Sequence, residues 1–136
     1  MANFKNTQNH ELKIQKWIKE GRGQGFGNNY KPWITIRDVS SEGRSHRIFG
    51  HKCQRTHHLL SDLELSTFLL LEWHPTTIDI REQYPLDLDQ TLEIAKTIGI
   101  PHPRLGKHYQ IMTSDFLVDI HNSITPKFVL QVKYSN

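Results

Sequence analysis

Two segments near one end carry the pattern that most restricts how this chain folds. Thr113-Ser114-Asp115-Phe116-Leu117-Val118-Asp119-Ile120 reads as a strand, and so does Lys127-Phe128-Val129-Leu130-Gln131-Val132-Lys133-Tyr134. In the second, period-2 alternation places Phe128, Leu130, Val132 and Tyr134 on one face. Lys127, Val129, Gln131 and Lys133 share the other. A hairpin turning around His121 to Pro126 sets Asp115 opposite position 132, between Gln131 and Lys133. An acid, a neutral oxygen donor and an ammonium then meet at one sheet edge. That combination suits binding a divalent metal and positioning a water against a phosphodiester. A plain cross-strand ion pair between Asp115 and Lys133 satisfies the same positions.

At 136 residues the chain has the length of a single domain, residues 1–136. Its charged fraction of 23% is ordinary for a soluble protein. No apolar run approaches the ~20 residues of a membrane span, and the first residues lack a signal-peptide apolar region. One cysteine, Cys53, excludes an internal disulfide and fits a reducing cytoplasm. The net charge of +3 conceals an asymmetry: residues 1–60 balance at +7 and residues 61–136 at −4. A basic half beside an acidic half suits a polyanion-binding surface next to a metal site. Lys13, Lys16 and Lys19 read equally well as the wet face of a helix. Arg22, Arg44, Arg47, Lys52 and Arg55 are spread over loops and strands and are the expected DNA contacts.

Along the chain, Ile14, Trp17 and Ile18 recur at helical spacing up to about Glu20. Gly21-Arg22-Gly23-Gln24-Gly25-Phe26-Gly27 follows. It lacks the Gly-Lys-Ser/Thr ending of a phosphate-cradling loop and lies after a helix, so a mobile basic loop near a DNA backbone is the expected role. Trp33-Ile34-Thr35-Ile36 reads as a strand and Ser40–Gly43 as a turn. Ser45–Lys52 and Arg55–Leu60 read as β-segments. Ser61 opens a helix through Trp73, Thr76–Gln83 alternates as a strand, and Gln90–Ile98 is a short helix closed by Gly99. His102–Gln110 reads as a loop. This order predicts an α/β domain with a mixed central sheet flanked by helices.

Other chemistry-bearing residues have structural readings. Ser61-Asp62-Leu63-Glu64 is a capping box, in which Glu64 caps the helix; the competing reading of Glu64 is an acid that faces the sheet edge of Asp115. His46, His51, Cys53, His57 and His58 are metal-like in type but match no zinc spacing and include one thiol. A nucleophilic Cys53–His pair has no evident orienting group. Asp87 and Asp89 suit an exposed turn. Glu82 ends a strand as a supporting or solvated acid.

An acid on one strand followed by Gln-x-Lys on the next resembles the skeleton of PD-(D/E)XK nucleases, with Gln in place of the second acid. The wider chain resembles the TnsA endonuclease subunits of heteromeric bacterial cut-and-paste transposases. The likeness runs through Glu20–Gly25, Gly43–Ile48, His57–Leu65, Asp79–Gln83, Ser114–Asp119 and Gln131–Lys133. It implies a restriction-endonuclease-like fold and a DNA endonuclease that cuts the 5′ ends of a transposon. It implies catalytic roles for Glu64, Asp115, Gln131 and Lys133. One or two Mg²⁺ ions, with Mn²⁺ as substitute, would be held by Glu64, Asp115, Gln131 and the Val132 carbonyl. The implied partners are double-stranded DNA at transposon ends, an integrase-like transposase subunit and an ATP-dependent transposition regulator. The implied location is the bacterial cytoplasm, at the nucleoid. The alternative is a DNA-binding and protein-docking module with dormant catalysis. The family continues past Gln-x-Lys with a further helix and strand and a second, partner-binding domain, so the resemblance implies a C-terminally truncated catalytic domain. Phe128, Leu130, Val132 and Tyr134 are accordingly expected to lie uncovered unless another chain covers them.

Overall fold

A computed structural model describes residues 2–39, 44–122, 124 and 126–134. The expected turn at Ser40–Gly43 lies outside them. Helix α1 (Ala2–Lys19) is followed by a hairpin of β1 (His46–Gly50) and β2 (Arg55–Leu59). Then come α2 (Asp62–Trp73), β3 (Thr77–Pro85), α3 (Leu88–Ile98), the short pair β4 (Arg104–Leu105) and β5 (His108–Tyr109), β6 (Thr113–Ile120) and β7 (Lys127–Leu130). Helices and strands mix as an α/β domain. The central sheet has the order β3-β6-β7, with antiparallel pairing throughout.

Local chemistry explains the helix limits. The Ser61 hydroxyl accepts from the Glu64 N–H at 3.1 Å, and Asp62 and Glu64 sit in the first turn, where the helix dipole favours negative charge. Asp87 caps α3 by accepting from the Gln90 N–H at 3.0 Å, and Gly99 ends it in the left-handed region at φ 74°.

The core is formed by Cys53, Leu59, Phe68, Ile80, Phe116 and Val118. It draws on β2, α2, β3 and β6 and joins the hairpin to the central sheet. Phe128 and Leu130 pack against it. This corrects the expectation of a wholly uncovered face on the last strand: its first half points inward, and Tyr134 remains 67% exposed.

Three further segments differ from the sequence pattern. Trp33–Ile36 is not a strand. Trp33 is buried, its N–H donates to the Gln83 carbonyl at 3.0 Å, and Ile36–Asp38 coils into a 3₁₀ turn. The Asp38 carboxylate accepts from both the Thr35 N–H and hydroxyl at 2.8 Å, a local alternative that outcompetes a ladder. Within 102–110 the chain forms the β4–β5 pair rather than a structureless loop. The glycine-rich segment is pinned rather than mobile. Gly23 N–H donates to the Lys31 carbonyl at 2.6 Å, and Gly23 lies so close to the Pro85 ring that a Cβ there would collide.

Candidate active site

The site begins with the register of the sheet. Asp119 pairs with Lys127 and Phe116 with Leu130. The ladder therefore extrapolates to Gln131 opposite Asp115, one residue earlier than expected. β7 itself stops at Leu130, not Tyr134. Beyond it, Asp115 takes over the pairing. Its Oδ2 accepts from the Val132 N–H at 2.8 Å, and its own N–H donates to the Gln131 side-chain oxygen at 3.3 Å. Side chains thus replace the backbone bonds that would have continued the strand.

Glu64 reaches the same place from α2. The Ser61 hydroxyl donates to its Oε2 at 2.9 Å and the Gln83 amide donates to its Oε1 at 2.7 Å. Burial pushes the Glu64 carboxyl up from the ordinary range and the negative charge of Asp115 adds to that, against the pull of its hydrogen bonds. Burial likewise raises Asp115, opposed by the Val132 N–H. Two partly desolvated carboxylates, one of which feels the other's charge, favour a proton or a cation beside them. Lys133 stands exposed just beyond.

The donors are oxygens: two carboxylates, the Gln131 amide oxygen and the neighbouring backbone. That set fits a hard divalent cation better than zinc. Among the described residues no three or more His, Cys, Asp or Glu converge as a ligand group. The His/Cys cluster disperses to separate partners. His46 Nε2 lies 2.7 Å from Asp62, His57 Nδ1 lies 3.0 Å from Glu82, and His58 Nδ1 accepts from the Ile36 N–H at 3.2 Å. The Cys53 thiol donates to Asp79 at 3.0 Å; burial and then that bond push its pKa up to about 12, far from a nucleophile.

The expected DNA contacts divide. Arg44 is 80% exposed and pairs with Asp62 at 2.8 Å. Arg47 is exposed on β1. Lys52 is half-buried, and its backbone N–H donates to Glu72 at 2.8 Å. Arg22 and Arg55 of the expected set are engaged within the fold. Arg22 pairs with Asp38 at 2.6 Å and lies over the Trp17 ring at 4.2 Å. Arg55 is locked against buried Glu82 at 2.5 Å and donates to the Ile80 carbonyl at 3.0 Å. Glu82 is a supporting acid deep in the core rather than a solvated strand end. The residue that sequence reasoning passed over is Gln83. The only sequence-level hint is a polar residue after a run of strand pattern.

Residues 74–136 match the family model described as the TnsA-like endonuclease N terminal. Over 128 residues the chain is 52% identical to the transposon Tn7 transposition protein TnsA of Escherichia coli. That alignment covers 94% of this chain and 47% of the relative, so the chain spans about half the relative's length. Asp115, Gln131 and Lys133 lie inside the span of the family model; Glu64 lies inside the longer alignment alone.

Proposed function

Because this chain belongs to the TnsA-like endonuclease family, with its restriction-endonuclease-like fold, we propose that it is the catalytic part of a metal-dependent DNA endonuclease. It hydrolyses phosphodiesters at the 5′ ends of a transposon during excision. The observation that carries this reading is the meeting of Glu64 and Asp115. They come from different elements: Glu64 accepts from the Gln83 amide at 2.7 Å, and Gln83 falls opposite Asp115 in the β3–β6 register; burial raises both carboxyls. A fold that only bound DNA would gain nothing from setting two anions together beside the phosphate it must approach.

Glu64, Asp115, Gln131 and the Val132 carbonyl would hold Mg²⁺, or Mn²⁺ in its place, as one or two ions. Such an ion supplies positive charge to the phosphate oxygens and makes water more acidic. The chain's own residues do the rest. The Val132 N–H holds Oδ2 of Asp115, which fixes the carboxylate's orientation. Ser61 and Gln83 hold both oxygens of Glu64. The Lys133 ammonium offsets charge building on the phosphate and orients the attacking water. Arg44, Arg47 and Lys52 contact the DNA backbone. The partners belonging to this reading are double-stranded transposon-end DNA, an integrase-like transposase subunit and an ATP-dependent regulator, in the bacterial cytoplasm. No described helix is long and apolar enough to cross a membrane.

The test combines Mn²⁺ calorimetry on the chain with cleavage in the reassembled transposase complex. Asp115→Ala is expected to abolish both without unfolding the domain. Lys133→Ala is expected to slow cleavage while leaving Mn²⁺ affinity nearly intact, because a protonated lysine offers no lone pair. Wild-type cleavage and Mn²⁺ binding in Asp115→Ala would instead favour a DNA-docking module with its chemistry elsewhere.

A further inference from the structure

β3 contains an irregularity at the place where the site is built. Glu82 pairs with Phe116 and Tyr84 with Ser114, so Gln83 falls opposite Asp115. On the other side of β6, the ladder carries Gln131 opposite the same Asp115. Gln83, Asp115 and Gln131 thus share one rung across the sheet. Gln83 has φ 47°, in the left-handed region that a non-glycine residue enters at a cost of about 1–3 kcal/mol. The surroundings enforce it: the Gln83 carbonyl accepts from the Trp33 N–H at 3.0 Å and from the Tyr30 hydroxyl at 3.2 Å. The side chain is 3% exposed, and its amide donates to Glu64 Oε1 at 2.7 Å. Ser61, on the helix that carries Glu64, holds the other oxygen. Gln83 is therefore the tie between Glu64 and the rung of Asp115.

We propose that Gln83 is a positioning residue for the proposed metal site: its left-handed backbone aims its amide at Glu64 and fixes that carboxylate against Asp115 and Gln131. The inference rests on reading Glu64 and Asp115 as metal ligands. A simple buried polar contact would need neither an unfavourable backbone nor a place on the same rung as both other donors. The amide is also a donor only where it meets Glu64, so it orients that carboxylate without competing for the cation.

Two substitutions separate the backbone from the amide. Gln83→Asn keeps a residue that tolerates positive φ but is one methylene shorter, so its amide withdraws from Glu64. Gln83→Gly removes the side chain and relieves the backbone. Both variants are expected to melt within a few degrees of the parent chain. Both are expected to bind Mn²⁺ about tenfold or more weakly by calorimetry, the usual scale for groups that orient metal ligands. In the reassembled complex, kcat should fall while KM for DNA stays unchanged. Folded variants with parental Mn²⁺ affinity, or variants of both kinds that fail to fold, would overturn the positioning role. Glu64→Gln and Asp115→Asn serve as controls. If those two retain Mn²⁺ affinity, the metal-site reading itself falls and this inference with it. If they lose it while the Gln83 variants keep it, the positioning role alone is wrong.

Discussion

Asp115 and Glu64 are held partly out of water, and among the described residues neither forms an ion pair. Burial raises both carboxyls, and for Glu64 the charge of Asp115 adds to it. The sign follows from linkage. A carboxyl raised in the folded state favours folding while it is protonated, below its unfolded pKa, and that contribution is lost as pH rises through the raised value. At neutral pH the metal-free site therefore works against folding. Asp115→Asn keeps an oxygen to accept from Val132 and removes the repulsion, so it is expected to raise the melting temperature in metal-free buffer. For the unsubstituted chain, Mn²⁺ at a hundred times its dissociation constant should add about 2.7 kcal/mol, and the Asn variant should lose that increment. Thermal melts with Mn²⁺ and with chelator measure both; a variant melting at or below the parent temperature without metal would contradict the argument. At this scale the sequence displayed the acids, because carboxylates on a strand and at a helix start are visible as types. Gln83 was not legible: its contribution lies in the sign of a dihedral and in a contact with a residue nineteen positions away.

The β1–β2 hairpin is fastened to β3 by an ion pair with almost no access to water. Glu82 is fully buried. It accepts from Arg55 at 2.5 and 3.0 Å and from the His58 backbone N–H at 2.8 Å, and lies 3.0 Å from His57 Nδ1. Burial would raise its carboxyl; the bonds from His57 and Arg55 outweigh that and bring it to about 2. Glu82 thus stabilises the fold above its unfolded pKa, and the contribution is lost as pH falls from the ordinary glutamate range through about 2. Arg55→Met leaves that carboxylate buried without its cation and is expected to cost about 3–5 kcal/mol in urea unfolding at neutral pH. A cost below ~1 kcal/mol would mean that water reaches Glu82. Elements with caps or clean alternation were legible: α2 from Ser61, α3 from Gln90 to its Gly99 stop but not its Asp87 cap, and β1, β2, β3 and β6 from their patterns. Two of the exceptions share one cause. At Trp33–Ile36 and at Gln131–Tyr134 side chains or tertiary partners capture the backbone donors that a strand would use, and no single-segment pattern records such competition.

For the whole molecule, the charge balance pointed to a basic surface but not to which cations face outward. Arg22 and Arg55 neutralise Asp38 and Glu82, whereas Arg44 and Arg47 remain exposed on or next to the β1–β2 hairpin. If these two meet phosphates, replacing both with Ala should reduce the slope of log affinity against log salt by roughly 1.8 and weaken binding at every salt concentration. Fluorescence anisotropy with a transposon-end duplex measures it. An unchanged slope would place the DNA surface elsewhere, and a half-sized change would identify the Asp62-paired Arg44 as already neutralised. The fold class was readable from the order of elements, whereas assembly of the site depended on the β6–β7 register, which lies one residue from the hairpin the sequence suggests. That late closure has a consequence for how the protein is made. Glu64 leaves the ribosome first, Asp115 follows, and Gln131 to Lys133 come after both. In a chain still being translated, the two acids therefore emerge before the segment whose Val132 N–H holds the Asp115 carboxylate.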